Sequence, residues 1–309
     1  MDRSYAIYAA EQTKALLAID SPTGFTARAA AWVQEAFAAL GYPATLTRKG
    51  GVLIDLGGLR AENTEAENVR VYTRAGKCYE GTLQLCNASV HVNGDYAAAK
   101  RNFDTTEVVL DENVNSSEDT RNLGIEVGDM VCFDPRTRIT ESGYIKSRFL
   151  DDKLSVGILL GLAKYLKDTG KTPARRVYVH VTVYEEVGHG GAASVPAGVT
   201  EAISVDMGCV GDGLQCTERQ VSICAKDSGG PYSYEVVGKL IDAAKRENAA
   251  YAVDVYPHYG SDVEATLGAG CDIRHGLIGA GVYASHGYER SHIDGVLNTL
   301  KVLKGYLNL

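Results

Sequence analysis

Long apolar runs and an excess of positive charge are both missing from this chain of 309 residues. No stretch reaches the roughly 18 uncharged apolar residues that a membrane-crossing helix needs. The first residues lack a basic segment followed by an apolar run, so no secretory signal peptide is expected. Lys and Arg number 31 against 39 Asp and Glu, and the net charge of −8 argues against nucleic acid as the main partner. We therefore expect a cytoplasmic protein that binds neither membranes nor nucleic acid.

Cysteine pairs with the CxxC spacing of a redox or zinc motif are also absent. The seven cysteines are odd in number and scattered from Cys78 to Cys271. In a chain of this length, that pattern favours reduced thiols over a disulfide framework. None of them is expected to form a soft-metal site.

The composition is that of an ordinary globular protein, with 45% hydrophobic and 23% charged residues, in one large domain or two unequal ones. The first forty residues have helical periodicity, which Ser21-Pro22-Thr23-Gly24 interrupts and Gly41 ends. Strands are predicted over residues 44–47 and 52–56. From about residue 60 to 145, short β-branched runs separated by Gly, Asn and Asp turns indicate an all-β module.

Strands and helices alternate from Lys146 onward. Helices are predicted over 154–166, 231–246 and 290–307, and strands over 177–184 and 202–205. This alternation is typical of an α/β layer fold with a largely parallel sheet. We therefore predict a discontinuous α/β domain over residues 1–58 and 146–309, interrupted by a β-rich domain over 59–145.

Two adjacent carboxylates, Glu185 and Glu186, follow the predicted strand 177–184 and precede a glycine-rich turn. Open α/β sheets place ligands at the carboxyl ends of their strands. Adjacent carboxylates repel each other, and a metal held by one, with a water held by the other as general base, offsets that repulsion. The ordinary alternative is an acidic helix start favoured by the helix dipole.

Further metal-type side chains occur at Asp151, Asp152, Asp206 and His286. Taken singly, the aspartates have ordinary roles as helix caps or turn residues, and a lone histidine usually packs in the core or lies at the surface. Together they fall at predicted strand ends on one rim of the sheet. Carboxylates with an imidazole are the ligands that a paired divalent-metal centre needs, with one aspartate bridging ions about 3.5–4 Å apart.

These segments resemble the M42 family of metallo-aminopeptidases, and the similarity extends over nearly the whole chain. The Asp-Asp and Glu-Glu-Val-Gly-x-x-Gly-Ala segments, in this order, are fairly specific. The matching pieces are Ser21-Pro22-Thr23-Gly24, Phe149-Leu150-Asp151-Asp152, Glu185-Glu186-Val187-Gly188-His189-Gly190-Gly191-Ala192, Val205-Asp206-Met207-Gly208 and Ser285-His286-Gly287-Tyr288-Glu289-Arg290.

The resemblance implies a zinc-exopeptidase-like α/β/α catalytic domain with an inserted PDZ-like dimerisation domain, assembled into dimers or up to dodecamers. It implies two zinc or cobalt ions per subunit and removal of N-terminal residues from peptides. Asp151 would bridge the ions, and Asp152 would support it through a cis peptide. Glu185 would be the general base. Glu186 would bind one ion, while Asp206 and His286 would bind the other.

One family feature is missing. The family supplies a further ligand from a His-x-Asp segment, expected after Leu53-Ile54-Asp55-Leu56-Gly57-Gly58, yet the first histidine of this chain is His91. The flanking sequence keeps the family pattern, which favours a segment omitted from this sequence over a true deletion. A true deletion would remove the imidazole from the metal shared by Asp151 and Glu186 and leave little or no activity.

Two other functions remain open. One is a catalytically impaired oligomeric homologue, which the missing histidine favours and the intact Glu185–Glu186 pair opposes. The other is a related hydrolase of non-peptide bonds, such as acyl amides or glycosides. Paired carboxylates can serve glycoside hydrolysis, but adjacent residues of an extended strand point to opposite faces, which fits that chemistry poorly.

Overall fold

The protein is described by a computed structural model covering residues 1–49 and 60–309. The chain divides into two compact units, one of Met1–Gly57 with Arg136–Leu309 and one of Gly58–Pro135. The predicted strand over 52–56 and the predicted domain boundary at Gly58 lie outside the described residues. No helix in the described part of the chain is long and apolar enough to cross a membrane, and none of the seven cysteines forms a disulfide bond.

The unit of Gly58–Pro135 contains an antiparallel sheet of four strands in the order β3-β2-β1-β4. The strands are β1 (Asn68–Tyr72), β2 (Cys78–Leu85), β3 (Thr106–Leu110) and β4 (Met130–Phe133). A short helix, Ser117–Asn122, precedes β4. Val69 and Val71 of β1 are buried while their neighbours are more exposed, the alternation expected of a strand with one covered face. The β-rich character predicted from the turns is confirmed.

The larger unit contains a mixed sheet in the order β10-β9-β11-β12-β6-β5, with β7 and β8 also paired to β11. The bounds are β5 (Arg138–Ile139), β6 (Tyr144–Ser147), β7 (Glu201–Val205), β8 (Gly208–Val210), β9 (Val221–Lys226), β10 (Tyr251–Val255), β11 (Arg274–Tyr283) and β12 (Glu289–His292). Strands β7 and β8 run parallel to β11, whereas β9 and β12 run antiparallel to it. The predicted largely parallel sheet is therefore wrong, because short links such as that between β11 and β12 make antiparallel pairs.

Among its described residues, this unit has six helices, numbered α1 to α6 in chain order. They span Arg3–Leu17, Ala27–Ala39, Leu150–Thr169, Tyr234–Arg246, Asp262–Gly268 and Ile293–Tyr306. Leu16 of α1, Val33 and Phe37 of α2, and Val156 and Leu160 of α3 form one buried cluster. The predicted final helix begins at Ile293 and not at residue 290, because Glu289–His292 pair with β6 as a strand.

Two predicted strands are not formed. Residues 44–47 and 177–184 adopt no regular strand. Val177, Tyr178 and Val179 are 42%, 47% and 44% exposed, so this run is not the doubly buried strand that its apolar content suggested. A strand needs a hydrogen-bonded neighbour as well as β-branched residues, and the described residues provide none for this run.

Candidate active site

The pair Asp151–Asp152 lies at the start of α3, directly after β6. Phe149 has a left-handed backbone with φ of 65°, and the two aspartates have non-helical backbone angles. The peptide bond between them is cis, as the resemblance implied. The two carboxylates therefore lie at the junction between a strand and a long buried helix.

Glu185 and Glu186 lie in a single helical turn, Glu185–Val187. Tyr184 and Gly188 flank this turn with positive φ angles of 66° and 78°. The amide of Gly188 donates to the carbonyl of Glu185 at 2.7 Å, and the amide of His189 donates to the carbonyl of Tyr184 at 2.8 Å. This tight turn holds the glutamates between the run 177–184 and the glycines that follow.

His286 lies in the link between β11 and β12 and faces two carboxylates. Its Nε2 atom is 3.2 Å from Oδ2 of Asp151 and 3.5 Å from Oε2 of Glu186. The two carboxylates are nearly buried, whereas the His286 side chain is 39% exposed. Asp151, Glu186 and His286 thus form one group whose donor atoms lie within 4.8 Å of one another.

Asp206 belongs to a second group with Asp151 and Asp152, again with donor oxygens within 4.8 Å. Asp206 follows β7, and its amide donates to the carbonyl of Ile278 in β11 at 3.0 Å. The hydroxyl of Ser155 in α3 donates to the carbonyl of Asp206 at 3.1 Å, which fixes this turn against the helix. Oδ1 of Asp152 is buried and has no hydrogen-bond partner.

The carboxylate of Glu289 accepts hydrogen bonds from the backbone of two members of the first group. One of its carboxylate oxygens accepts from the amide of Asp151 at 3.0 Å, and the other accepts from the amide of His286 at 2.9 Å. Glu289 is 1% exposed. The sequence alone predicts no role for Glu289, and its only signal is an acidic residue three positions after the candidate ligand His286.

Burial and mutual repulsion disfavour the ionised carboxyl groups here. Burial first, and then the charges of Asp206 and Asp151, raise the pKa of Asp152 well above its ordinary value. Burial and the charge of Asp151 likewise raise the pKa of Asp206 and of Glu289. A cation would offset this concentration of negative charge.

Five of the six predicted site residues therefore come together in two groups that share Asp151. The sixth, Glu185, is the neighbour of Glu186 in the same turn, and its charge contributes to the raised pKa of Asp152. The expected assignment of ligands to the two ions differs from the geometry, because His286 lies with Glu186 and not with Asp206.

A further acidic residue, Asp262, supports the glutamate turn. Its carboxylate accepts from the hydroxyl of Thr182 and, at 2.5 Å, from the amide of Gly191. The hydroxyl of Thr266 donates to the carbonyl of Gly191 at 2.8 Å, and Nζ of Lys49 donates to the carbonyl of His189 at 2.8 Å. These contacts join segments distant in sequence, so no local pattern pointed to them.

Comparison with known proteins identifies the family. The family model described as M42 glutamyl aminopeptidase matches residues 45–302. The chain belongs to the M42 peptidase family. It is 44% identical over 259 residues to "Putative aminopeptidase YhfE" of Bacillus subtilis (strain 168), covering 84% of this chain and 75% of that protein. The M42 assignment makes the chain a hydrolase of peptide bonds.

Solved structures share the M42 fold. Aminopeptidase APDkam598 from the archaeon Desulfurococcus kamchatkensis has a TM-score of 0.83 and 20% identity, covering 98% of this chain and 95% of its own. The Pyrococcus horikoshii TET1 peptidase, whose structure is described as assembling into a tetrahedron or a large octahedral shell, has a TM-score of 0.79 and 17% identity, covering 96% and 98%.

M42 aminopeptidases generally use divalent metal ions. The first group of this M42 chain fits such an ion, because it offers two carboxylates and an imidazole within mutual reach. The buried Oδ1 of Asp152 in the second group accepts no hydrogen bond, which also fits a cation as its partner.

Proposed function

We propose that this chain is a metal-dependent aminopeptidase that removes N-terminal residues from peptides. The observation that carries the proposal is the approach of His286 Nε2 to carboxylate oxygens of Asp151 and Glu186, at 3.2 and 3.5 Å. These side chains come from three segments far apart in sequence, and zinc binds both imidazole nitrogen and carboxylate oxygen.

Asp151, Glu186 and His286 would hold one divalent ion, and Asp151, Asp152 and Asp206 would surround a second position. Asp151 would thus bridge the two, while the cis-linked Asp152 would support it. A bound divalent ion supplies a Lewis acid for the scissile carbonyl and for the attacking water. Zinc or cobalt is expected at the position that includes the imidazole.

Glu185 is proposed as the general base. Glu186 is committed to the first group, whereas its neighbour Glu185 is in neither group although its charge reaches Asp152. In that place Glu185 would accept a proton from the attacking water and deliver it to the nitrogen of the departing amine. The carboxylate-rich surroundings would attract the positively charged α-amino group of a peptide, which favours an exopeptidase.

A matched pair of variants tests this assignment. Glu185→Gln keeps the size of the side chain but removes the base, so turnover of an aminoacyl-anilide should fall by about 100-fold or more while bound metal is unchanged. His286→Gln should instead lower metal content and activity together. Retained activity in Glu185→Gln would remove Glu185 from the mechanism, and equal metal content in all forms would remove the metal role of His286.

The Gly58–Pro135 unit is proposed as the family's inserted PDZ-like domain, and the chain as a homo-oligomer. Its compactness and antiparallel sheet support the first proposal, and the multimeric TET1 peptidase supports the second. Light scattering of the full chain tests the assembly, with a purely monomeric species contradicting it.

A catalytically impaired homologue is the second candidate, because the group with Asp206 includes no histidine among the described residues. Metal-replete protein of verified mass separates the two functions. Release of N-terminal residues supports the enzyme, whereas metal binding and oligomerisation without turnover on aminoacyl substrates support the impaired homologue. Turnover of cellulosic or acyl-amide substrates alone would indicate a hydrolase of non-peptide bonds.

A further inference from the structure

A basic cavity of about 450 Å³ lies at one edge of the larger sheet, where β5 pairs with β6. Its lining has three cationic side chains and no acidic one: Arg136, Thr137, Arg138, Lys146 and Tyr288. All five residues belong to the larger unit. The net charge of the whole chain is −8, so a lining of this sign runs against the composition. The proposed metal chemistry leaves this cavity without a role.

The register of the strands explains why the cations lie side by side. Arg138 of β5 pairs with Lys146 of β6, and Lys146 pairs with Arg290 of β12. Residues directly opposite each other on antiparallel strands point to the same face of the sheet, so these three side chains form one row. Like charges in such positions destabilise a sheet, and an anion bound beside them would offset that repulsion.

The cations of this row differ in their partners. Nε of Arg290 donates to Oε1 of Glu218 at 3.2 Å, and its guanidinium lies 3.7 Å from the centre of the Tyr144 ring. Within the described part of the chain, by contrast, no acidic side chain forms an ion pair with Arg138 or Lys146. The two cations without an acidic partner there are the two members of the row that line the cavity.

The wall formed by Arg136 and Tyr288 places the cavity beside the candidate active site. The phenol of Tyr288 donates to the carbonyl of Arg136 at 2.8 Å, and the Arg136 guanidinium lies 4.5 Å from the centre of the Tyr288 ring. Tyr288 is two residues after His286. Because consecutive Cα atoms are about 3.8 Å apart, the Cα atoms of Tyr288 and His286 lie within about 8 Å of each other.

We propose that this cavity binds a carboxylate of the peptide substrate, on the C-terminal side of the bond that is cut. The acidic metal site attracts the α-amino group, and the basic cavity attracts the opposite charge further along the same peptide. A carboxylate two or three residues beyond that bond is about 7–11 Å away, which corresponds to the short separation between His286 and Tyr288. This inference rests on the proposed function, because it names the class of peptide that the same site cleaves.

Two groups in a peptide can supply this carboxylate, namely the C-terminus of a short peptide and an acidic side chain. Three substrates separate these sources: trialanine, trialanine amide, and the amide of alanyl-alanyl-glutamate. We expect kcat/KM to be about tenfold higher for trialanine than for its amide, between the effects of an exposed ion pair and of a hydrogen bond to a charged group. Preference for trialanine alone identifies the C-terminus, whereas equal preference for the glutamate amide identifies any carboxylate in that place.

The expected preference has two further properties. It should appear in KM and not in kcat, because the cavity holds the carboxylate equally in the bound substrate and in the transition state. It should also shrink as the salt concentration rises, since ion pairs open to solvent are screened. A preference that is confined to kcat would contradict binding of a remote carboxylate.

Variants connect the preference to the cavity. Lys146→Gln and Arg138→Gln should each bring the ratio of kcat/KM for trialanine over its amide closer to one. Lys245→Gln, at an exposed lysine of α4, is the control and should keep the ratio of the unaltered protein. General damage to the enzyme lowers both rates and cancels from this ratio, so a partly destabilised variant still decides the question.

The outcomes separate this inference from the proposed function. Turnover of all three peptides with equal kcat/KM, or a preference that survives in both Lys146→Gln and Arg138→Gln, would overturn the carboxylate site and leave the aminopeptidase. Metal-replete protein that cleaves none of the three peptides would overturn both.

Discussion

The carboxylate of Asp262 accepts a hydrogen bond from the amide of Gly191 at 2.5 Å and another from the hydroxyl of Thr182. Thr182 precedes the glutamate turn and Gly191 follows it, so one side chain fixes both ends of the segment that carries Glu185 and Glu186. A Cβ atom at Gly190 would lie only 2.6 Å from Oγ1 of Thr182 and 2.9 Å from Cα of Glu185, which shows how closely these segments pack.

Replacement of Asp262 by asparagine should lower kcat more than it raises KM. The amide cannot accept both hydrogen bonds in the same way, and a small displacement of the catalytic turn can cost about 100-fold in rate. Steady-state kinetics on an aminoacyl-anilide measure the effect. Asp242→Asn, at an exposed aspartate of α4, is the control. Unchanged kcat in Asp262→Asn would contradict a positioning role.

Replacement of Glu289 by glutamine should weaken both metal binding and folding. One of the amides of Asp151 and His286 would then face an NH2 group, and loss of such a buried hydrogen bond costs about 1–3 kcal/mol. Chemical unfolding and zinc titration measure the two effects. The exposed Glu141 offers a control substitution, Glu141→Gln, which should change neither. A fully stable Glu289→Gln protein with normal zinc affinity would contradict the prediction.

Two glycine-to-alanine changes should have opposite effects on stability. In β11, a Cβ atom at Gly279 would lie 2.6 Å from the carbonyl carbon of Asp206 and 2.7 Å from that of Met207. Gly279→Ala should therefore displace the Asp206 turn and destabilise the fold by about 1–3 kcal/mol, the usual cost of overpacking.

Gly238 in α4 has open space where its Cβ would be. Gly238→Ala should stabilise the protein by about 0.5–1 kcal/mol, because alanine favours the helix. Thermal unfolding of the two variants beside the unaltered protein compares the signs. Stabilisation by both changes would mean that the Asp206 turn tolerates the displacement.

The acid stability of the protein should depend on Glu201. Burial alone would raise the pKa of its carboxyl group, but hydrogen bonds from Tyr306 and Arg175, with the positive charge of Lys239, hold that pKa below the ordinary 4.5. A lowered folded-state pKa stabilises the fold at pH values above 4.5, and this contribution is lost as the pH falls from there through the folded-state pKa.

Glu201→Gln should accordingly reduce the free energy of unfolding at pH 7 by about 1.5–3 kcal/mol, the typical contribution of a hydrogen bond to a charged group. The difference from the unaltered protein should shrink below pH 4.5, the ordinary pKa of this group. Urea unfolding across the acid range measures it, with Glu11→Gln as an exposed control in α1. A difference that is constant with pH would contradict the ionic contribution.

Short segments carried the candidate site residues in the sequence. Asp151, Glu186 and Asp206 each lie directly beside a recognisable local pattern, and Asp151 shares one group with Glu186 and another with Asp206. The division of these ligands between two groups could not be predicted, because the path of the link between β11 and β12 decides which carboxylates His286 contacts. Glu289 and Asp262 were missed because their contacts with Asp151 and with Gly191 span 138 and 71 residues of sequence.

The fold was predictable where the sequence pattern and the packing agree. The β-rich segment and the helix beginning near Asp151 follow from turn residues and apolar periodicity. The run 177–184 has the composition of a buried strand, yet it lacks a paired neighbour among the described residues. Composition reports the preference of a segment, whereas strand formation also requires the backbone of another segment.

The hydrogen bond between the amide of Asp151 and the carboxylate of Glu289 closes a separation of 138 residues. A ribosome makes Asp151 and the glutamate turn well before it makes His286 and Glu289. The candidate site therefore stays incomplete in the growing chain until both of these later residues have been added.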